Sequence, residues 1–292
     1  MKGKAFIIDL GEKQVKYSQY RERAESVKQK IHFQPLIGVV LGTGLNNFVE
    51  MLSNSVSVSF SEIPNRPHAT NKSHKGRFIF GFYNDIPVVI SEGRLHYYEG
   101  YTSEECVRPI RLRKRLGIKR LVLTNACGSA NPEFKPGSFL LLKDQISRMV
   151  PSPLIGENIP EFGPRFPDRS DVYDRKDREV ILQEGRKESL PIHEGTYRQF
   201  TGPQYETAAE VSLAHNLGAD AVGRSTAIEA IASSHRGLKT IGISLLTNYG
   251  TGISSHKLTD EEVVERGKEN SKNFEKLLEI ALKVLWKGME DD

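Results

Sequence analysis

Cysteine is nearly absent: Cys106 and Cys127 are the only two in 292 residues. Two cannot build a disulfide framework, and their spacing matches no CxxC metal or redox site. Long apolar runs are missing as well. The N-terminal Ala5 to Ile8 run is four residues long and is followed by an aspartate, whereas a signal peptide needs about 7–15 apolar residues and a small-residue cleavage site. No run approaches the roughly 20 residues that span a bilayer. Charge of one sign is not in excess, since 41 Lys plus Arg stand against 37 Asp plus Glu, a net +4. That surplus argues for neither a nucleic-acid nor a membrane partner. The eight histidines show no HxxxH or HExxH spacing, so no metal is expected. A soluble, reducing, cytoplasmic setting is the expectation.

What is present is a globular balance, 38% hydrophobic and 27% charged, in a chain long enough to bury its own core. Tyr17 to Phe33 repeats apolar residues at helical steps, and Leu36 to Leu41 reads as a strand buried on both faces. Arg77–Tyr83 and Ile86–Ser91 flank the turn pair Asn84-Asp85 and predict a hairpin. Thr102 opens a capping box for a helix to about Leu116, and Thr259 opens another for a last helix to about Trp286. Further strands are expected at Leu121–Thr124, Ser138–Leu142, Ala219–Val222 and Lys239–Thr247, with a helix over Tyr205–Leu217. The alternation predicts one α/β domain, a mixed or parallel sheet flanked by helices. Residues 1–34 read as an extension whose helix packs on a domain spanning 35–292. Val150 to Ser170, with five prolines, is long for a connector and therefore reads as functional or lid-like.

Four strand ends carry chemistry. Leu41-Gly42-Thr43-Gly44 offers backbone amides and a hydroxyl to an oxyanion, but lacks the third glycine of a dinucleotide fingerprint. Arg94 and His96, two apart beyond a strand, make an oxyanion clamp if the strand continues. A surface strand facing water is the alternative. Thr124 to Ser129 leaves a strand through small residues, where backbone can approach a ligand. Cys127 there, with His74 or His96 as base, reads as inert packing rather than as a nucleophile. Gly223-Arg224-Ser225-Thr226 follows a strand and opens a helix. Tyr205 can stack on a planar ring, Glu206 can accept from ring N–H groups or merely serve a helix start, and Asn248 offers donor and acceptor. The basic stretch from Arg108 to Arg120 reads as a solvated helix face.

In this order the segments resemble the trimeric, low-molecular-mass purine nucleoside phosphorylases: LGTGL at Leu41, EIPN at Glu62, SHKGR at Ser73, GRLHYYEGY at Gly93, TNACG at Thr124, RFPDRSDVYD at Arg165, GPQYET at Gly202, LGADAVGRST at Leu217 and SLLTN at Ser244. The resemblance implies a mixed, partly barrel-like sheet of nine or ten strands, a homotrimer, and reversible phosphorolysis of purine (deoxy)nucleosides in purine salvage. It implies no cofactor, with inorganic phosphate as co-substrate and a purine nucleoside as the other ligand. Phosphate would be held by Thr43, Arg94, His96, the Ala126 backbone, Ser225 and His74. Glu206 would hold the N1 side of the purine and Asn248 its N7, these two and His96 being the catalytic side chains. Tyr205 would stack on the base, Tyr98 and Arg224 would meet the ribose, and Phe166 would close over a neighbouring subunit's site. Asn248 suits 6-oxopurines such as inosine and guanosine, while the related methylthioadenosine phosphorylases typically have aspartate there. Phosphorolysis of methylthioadenosine or adenosine, or nucleoside binding without catalysis, are the alternatives. The chain departs from the family at Arg224, usually methionine, at Asp260, commonly histidine, and at Ala227-Ile228 and Tyr249 to Gly252. Altered nucleoside affinity is expected from the first two.

Overall fold

The computed structural model describes residues 17–64, 75–254 and 258–289. Nine strands among them form one mixed sheet. Its first half runs β2 (Ser53–Ser59), β3 (Arg77–Tyr83), β4 (Ile86–Glu92), β1 (Ile37–Leu41) and β5 (Arg120–Ser129). It continues through β8 (Ala221–Gly223), β7 (Ile192–Gln199), β6 (Phe139–Ile146) and β9 (Lys239–Tyr249). β9 then pairs back onto β5 in parallel, from Arg120↔Lys239 to Ser129↔Tyr249, so five strands close into a barrel-like ring. β1 lies between parallel β4 and β5 and is buried at all five positions, as its unbroken apolar sequence requires. The expected hairpin is β3–β4, antiparallel through Tyr83↔Ile86.

Seven helices are described: α1 (Tyr17–Lys28), α2 (Ser103–Leu116), α3 (Arg175–Lys187), α4 (Ala208–Asn216), α5 (Ala227–His235), α6 (Asp260–Glu269) and α7 (Ser271–Lys287). One face of the sheet is covered by α7, whose Phe274, Leu277, Leu278 and Ala281 join Ile37, Val39 and Ile243 in one apolar cluster. α2 and α5 cover the other, burying Val107, Ile110, Ala230 and Ala232 with Val40 and Leu123. The Thr102 capping box is present: the hydroxyl accepts from the Glu105 N–H at 3.2 Å, and Glu105 accepts from the Thr102 N–H at 3.0 Å.

Three expectations are corrected. The last helix is two helices, broken at Asn270, whose side chain turns back to donate to the Arg266 carbonyl at 2.9 Å. That break lets α6 lie against the turn after β1. A Cβ at Gly267 would stand 3.0 Å from the Cα of Gly44, so two glycines let the backbones touch. The helix expected from Tyr205 begins at Ala208, with Thr207 as its cap, which leaves Tyr205 and Glu206 outside it. The basic stretch is not a solvated face, for Arg111, Arg113 and Arg120 are buried. Arg113 reaches the Val39 carbonyl at 3.4 Å and lies 5.3 Å from the Phe78 ring centre. Burial pulls its guanidinium down to about 9. Arg120 pairs with Asp177 and donates to the Gly288 carbonyl at 2.5 Å. Long aliphatic stems let these cations cross the core to distant acceptors, which helical spacing does not reveal.

Candidate active site

A cavity of about 340 Å³ opens where β1, β4, β5, β8 and β9 end or run out, the usual ligand position in such sheets. Gly42 makes it possible. A Cβ there would stand 2.6 Å from the Asn125 Cα, so only glycine lets the turn after β1 approach β5. Its N–H donates to Thr124 Oγ1 at 3.0 Å, and that hydroxyl donates to the Val40 carbonyl at 2.9 Å. Gly42→Ala is expected to destabilise by about 1–3 kcal/mol through overpacking. A denaturant titration with an unchanged midpoint would contradict this.

One end of the cavity is built for an anion. β4 stops at Glu92, and Gly93 turns with φ +111°, so Arg94 and His96 leave the sheet and line the cavity without continuing a ladder. Arg94 is buried. Its Nη1 donates to the Thr124 carbonyl at 2.8 Å and its Nε to Glu229 Oε2 of α5 at 3.1 Å. The buried pair holds the guanidinium in one orientation. His96 is fixed twice by Glu99, through its backbone N–H at 2.8 Å and Nδ1 at 3.0 Å. Burial, with Arg94 adding to it, lowers the imidazole's pKa below the usual value despite the Glu99 partner, so the ring is neutral at pH 7.

Ser225 enters from a tight γ-turn. Thr226 has φ +77° and ψ −51°, with the Ala227 N–H donating to the Ser225 carbonyl at 2.9 Å. Such a conformation in a β-branched residue costs about 1–3 kcal/mol. It is held by Asn125, whose Nδ2 donates to Thr226 Oγ1 at 2.9 Å. The turn leaves Ser225 beside the N-terminus of α5, where backbone dipoles favour negative charge.

Glu206 and Asn248 line the same cavity. Glu206 is 8% exposed, and its Oε1 has no hydrogen-bond partner among the described residues. Burial raises its pKa above the ordinary carboxylate value. Asn248 is oriented by its neighbours: Oδ1 accepts from the Thr247 hydroxyl at 2.8 Å, and Nδ2 donates to the Tyr249 carbonyl at 2.9 Å. An amide nitrogen carries two N–H bonds, so one remains for a ligand. Cys127 also lines the cavity, but burial pushes its thiol up to about 12 and its Sγ sits 3.6 Å from the Leu245 carbonyl. It stays a thiol at neutral pH, the inert reading.

Tyr98, Tyr205, Arg224 and Asp260 also line the cavity. Tyr98 stacks on His96 with ring centres 4.7 Å apart. The Arg224 guanidinium lies 4.2 Å from the Tyr205 ring centre, and the Tyr205 hydroxyl donates to Asp260 Oδ1 at 2.7 Å. Asp260 begins α6 as expected, yet it also serves as this acceptor.

The fold thus brings Thr43, Arg94, His96, Ala126 and Ser225 into one cavity with Tyr98, Tyr205, Glu206, Arg224 and Asn248. The surface-strand alternative for Arg94 and His96 is excluded. Phe166 does not line it and is 88% exposed. His74 lies outside the described residues. Sequence reading missed Glu229 and Glu99. A glutamate three residues after His96 was a usable signal, whereas nothing in the sequence links Glu229 to Arg94, 135 positions away. Among the described residues no cluster of three or more His, Cys, Asp or Glu could hold a metal ion, and no helix is long and apolar enough to cross a membrane.

Comparison with known proteins gives this cavity a class. The family model described as the phosphorylase superfamily matches residues 36–283. Purine nucleoside phosphorylase 1 of Bacillus subtilis is 39% identical over 259 residues, covering 88% of this chain and 95% of its own. The Bos taurus purine nucleoside phosphorylase is 38% identical over 275 residues, 91% of this chain and 94% of its own. A solved schistosome purine nucleoside phosphorylase in complex with hypoxanthine superposes with a TM-score of 0.87 at 33% identity, covering 91% of this chain and 96% of that one. The chain belongs to the purine nucleoside phosphorylase family, enzymes that transfer a pentosyl group to phosphate.

Proposed function

We propose that the chain catalyses reversible phosphorolysis of 6-oxopurine nucleosides, inosine and guanosine with their 2′-deoxy forms, to free base and (deoxy)ribose 1-phosphate. One observation carries this reading. An anion-binding group of Arg94, His96 and Ser225 shares a cavity with Glu206, a buried carboxylate whose Oε1 has no hydrogen-bond partner among the described residues. Phosphate attacks the anomeric carbon as the glycosidic bond breaks, and the electron pair of that bond leaves with the purine. Positive charge grows on the sugar beside the phosphate anion, and negative charge grows on the base. Asn248 Nδ2 donates to N7 of the departing purine and Glu206 accepts from its N1–H. The N7 donation strengthens as charge develops, so it accelerates the step as well as binding the base. The substrate phosphate is the nucleophile, so no protein nucleophile is required.

Asn248 offers its remaining N–H to N7 and O6, both acceptors in a 6-oxopurine, which favours the 6-oxo over the 6-amino purine. Tyr98 and the Arg224–Tyr205 platform meet the sugar and base, with Asp260 at the edge. Thr43 and the Ala126 backbone complete the phosphate cradle; His74, which the family resemblance assigns to phosphate, lies outside the described residues. No cofactor takes part. Phe166 closes a neighbour's cavity in a homotrimer, and the setting is cytoplasmic purine salvage. The test is a panel of inosine, guanosine, adenosine and methylthioadenosine, with and without phosphate. Hypoxanthine and guanine are expected, released only when phosphate is added. Asn248→Asp is expected to shift preference toward adenosine by about tenfold or more, the scale of one exchanged ring hydrogen bond. Arg224→Met is expected to change the inosine KM and leave the phosphate KM unchanged. Cleavage of methylthioadenosine in preference to inosine, or none in the panel, would overturn the assignment.

A further inference from the structure

The segment between β6 and α3, residues 147–174, contributes nothing to the lining of the cavity of its own chain. It is nonetheless tied down along its length. Arg165 Nη1 donates to the carbonyls of Leu154 and Gly156 at 3.1 and 2.8 Å, and Asn158 Nδ2 to that of Gly163 at 3.2 Å. From outside the segment, Arg111 Nη2 donates to the Pro153 carbonyl at 3.1 Å, and Arg236 to that of Glu161. His235 Nε2 stands 3.0 Å from the Pro164 carbonyl.

At its centre Phe162, 2% exposed, has the guanidinium carbons of Arg111 and Arg236 at 4.8 and 4.9 Å from its ring centre. Ile159 of the same segment packs against this cluster, and aromatic contacts come from α1. The rings of Tyr20 and Tyr17 meet Phe162 edge-on at 4.9 and 5.5 Å. α1 is anchored in turn on α2, where Arg115 Nη1 donates to the Tyr17 hydroxyl at 2.8 Å and the Tyr20 hydroxyl donates to Glu104 at 3.2 Å. Edge-on aromatic pairs and guanidinium–ring contacts both fix ring orientation. Four residues beyond this clamp, Phe166 stands exposed, with the Arg165 guanidinium 5.8 Å from its ring centre. Ile155, in the same segment, is 73% exposed. A loop that clamps one phenylalanine and offers another to solvent is arranged in advance for contact, which lowers the ordering cost of association.

We propose that α1 is a brace: through Tyr17 and Tyr20 on Phe162 it fixes the loop that carries Phe166, so that a second copy of this chain receives Phe166 already in position over its nucleoside cavity. This rests on the reading above that Phe166 closes a neighbour's site. The partner is a copy of the chain because Phe166 lines no part of its own cavity. Tyr17 and Tyr20 are positioning residues, acting through Phe162 and Phe166 without touching substrate.

The experiment is a double-mutant cycle on the full chain, with steady-state inosine kinetics, the phosphate KM and sedimentation measured on each variant. Phe166→Ala is expected to raise the inosine KM about tenfold, and Tyr20→Ala about three- to tenfold, each with the phosphate KM within about twofold of the parent. The double variant is expected to be no worse than Phe166→Ala alone, because the two residues act in series. Tyr20→Phe, which keeps the ring edge, is expected to restore the parent KM. Should Tyr20→Ala fail to fold, Tyr17→Leu at the half-buried end of the helix gives the same readout. An inosine KM unchanged by Tyr20→Ala but raised by Phe166→Ala overturns the brace alone. Effects that multiply in the double variant also overturn it. An inosine KM unchanged by Phe166→Ala overturns the neighbour reading and the brace with it.

Discussion

Glu206→Gln is expected to lower kcat/KM for inosine about 100-fold, the scale of one charged hydrogen bond lost from the transition state, while leaving the fold at least as stable at pH 7. The two effects share a cause. Glu206 is a buried carboxyl with one oxygen unpartnered among the described residues, and burial raises its pKa in the folded state. Between the unfolded and folded pKa values the native protein binds more protons than the unfolded chain. Its stability therefore falls as pH rises through that window. The ionised form is nonetheless the one that accepts a purine N1–H. Activity of the parent is then expected to fall as pH drops through a pKa above the usual glutamate value of 4.5. The glutamine variant lacks this acid limb and also lacks the stability slope. Profiles of kcat/KM and of thermal midpoint from pH 5 to 8, for both proteins, check the two halves. A variant with parental kcat/KM would remove Glu206 from the mechanism.

Arg94→Met is expected to cost about 3–5 kcal/mol of stability, because it strands Glu229 as an unpaired charge in the interior. It is also expected to raise the phosphate KM by two orders of magnitude or more, since Arg94 is the buried cation at the anion end. The pair Arg94–Glu229 separates these losses. In the double variant Arg94→Met, Glu229→Gln no buried charge is stranded, so most of the stability is expected to return. Activity is not, because the guanidinium is still missing. Denaturant titrations and phosphate saturation curves on the parent and both variants provide the check. A double variant no more stable than the single one would show that the pair does not govern local stability.

The cavity residues were legible because they cluster at strand ends in short, distinctive runs. Gly42 to Gly44, Arg94 to Tyr98 and Gly223 to Ser225 each lie where a strand stops. What supports them was not legible. Glu229 reaches Arg94 from α5, and Asn125 holds the strained Thr226 from β5, contacts that exist only once the sheet has folded. Whole elements escaped for local reasons. β2 is a serine-rich, mostly exposed edge strand whose apolar face is only Val56 and Val58, too short an alternation to stand out. β7 carries His193, Glu194 and Arg198 within eight residues. Arg178 of α3 donates to Glu194 at 2.6 Å, which makes this charge tolerable in a strand. The buried arginines of α2 were misread because Arg111 reaches the Pro153 carbonyl and Arg113 that of Val39, acceptors on other segments, although Arg111 also pairs with Glu104 of its own helix.

The ring formed when β9 meets β5 has a consequence in time as well as in space. β5 begins at Arg120 and its partner at Lys239, so the strand that carries Asn248 finds its place only after a long stretch of chain has been ordered. Contacts between such distant segments form late, because loop-closure entropy opposes them until many others exist. Thr43, Arg94 and His96 follow β1 and β4, which reach β5 by pairings outside the ring. Asn248 joins them only through the β5–β9 pairing that closes it, so ring closure is what adds the purine-side donor to the anion-binding residues.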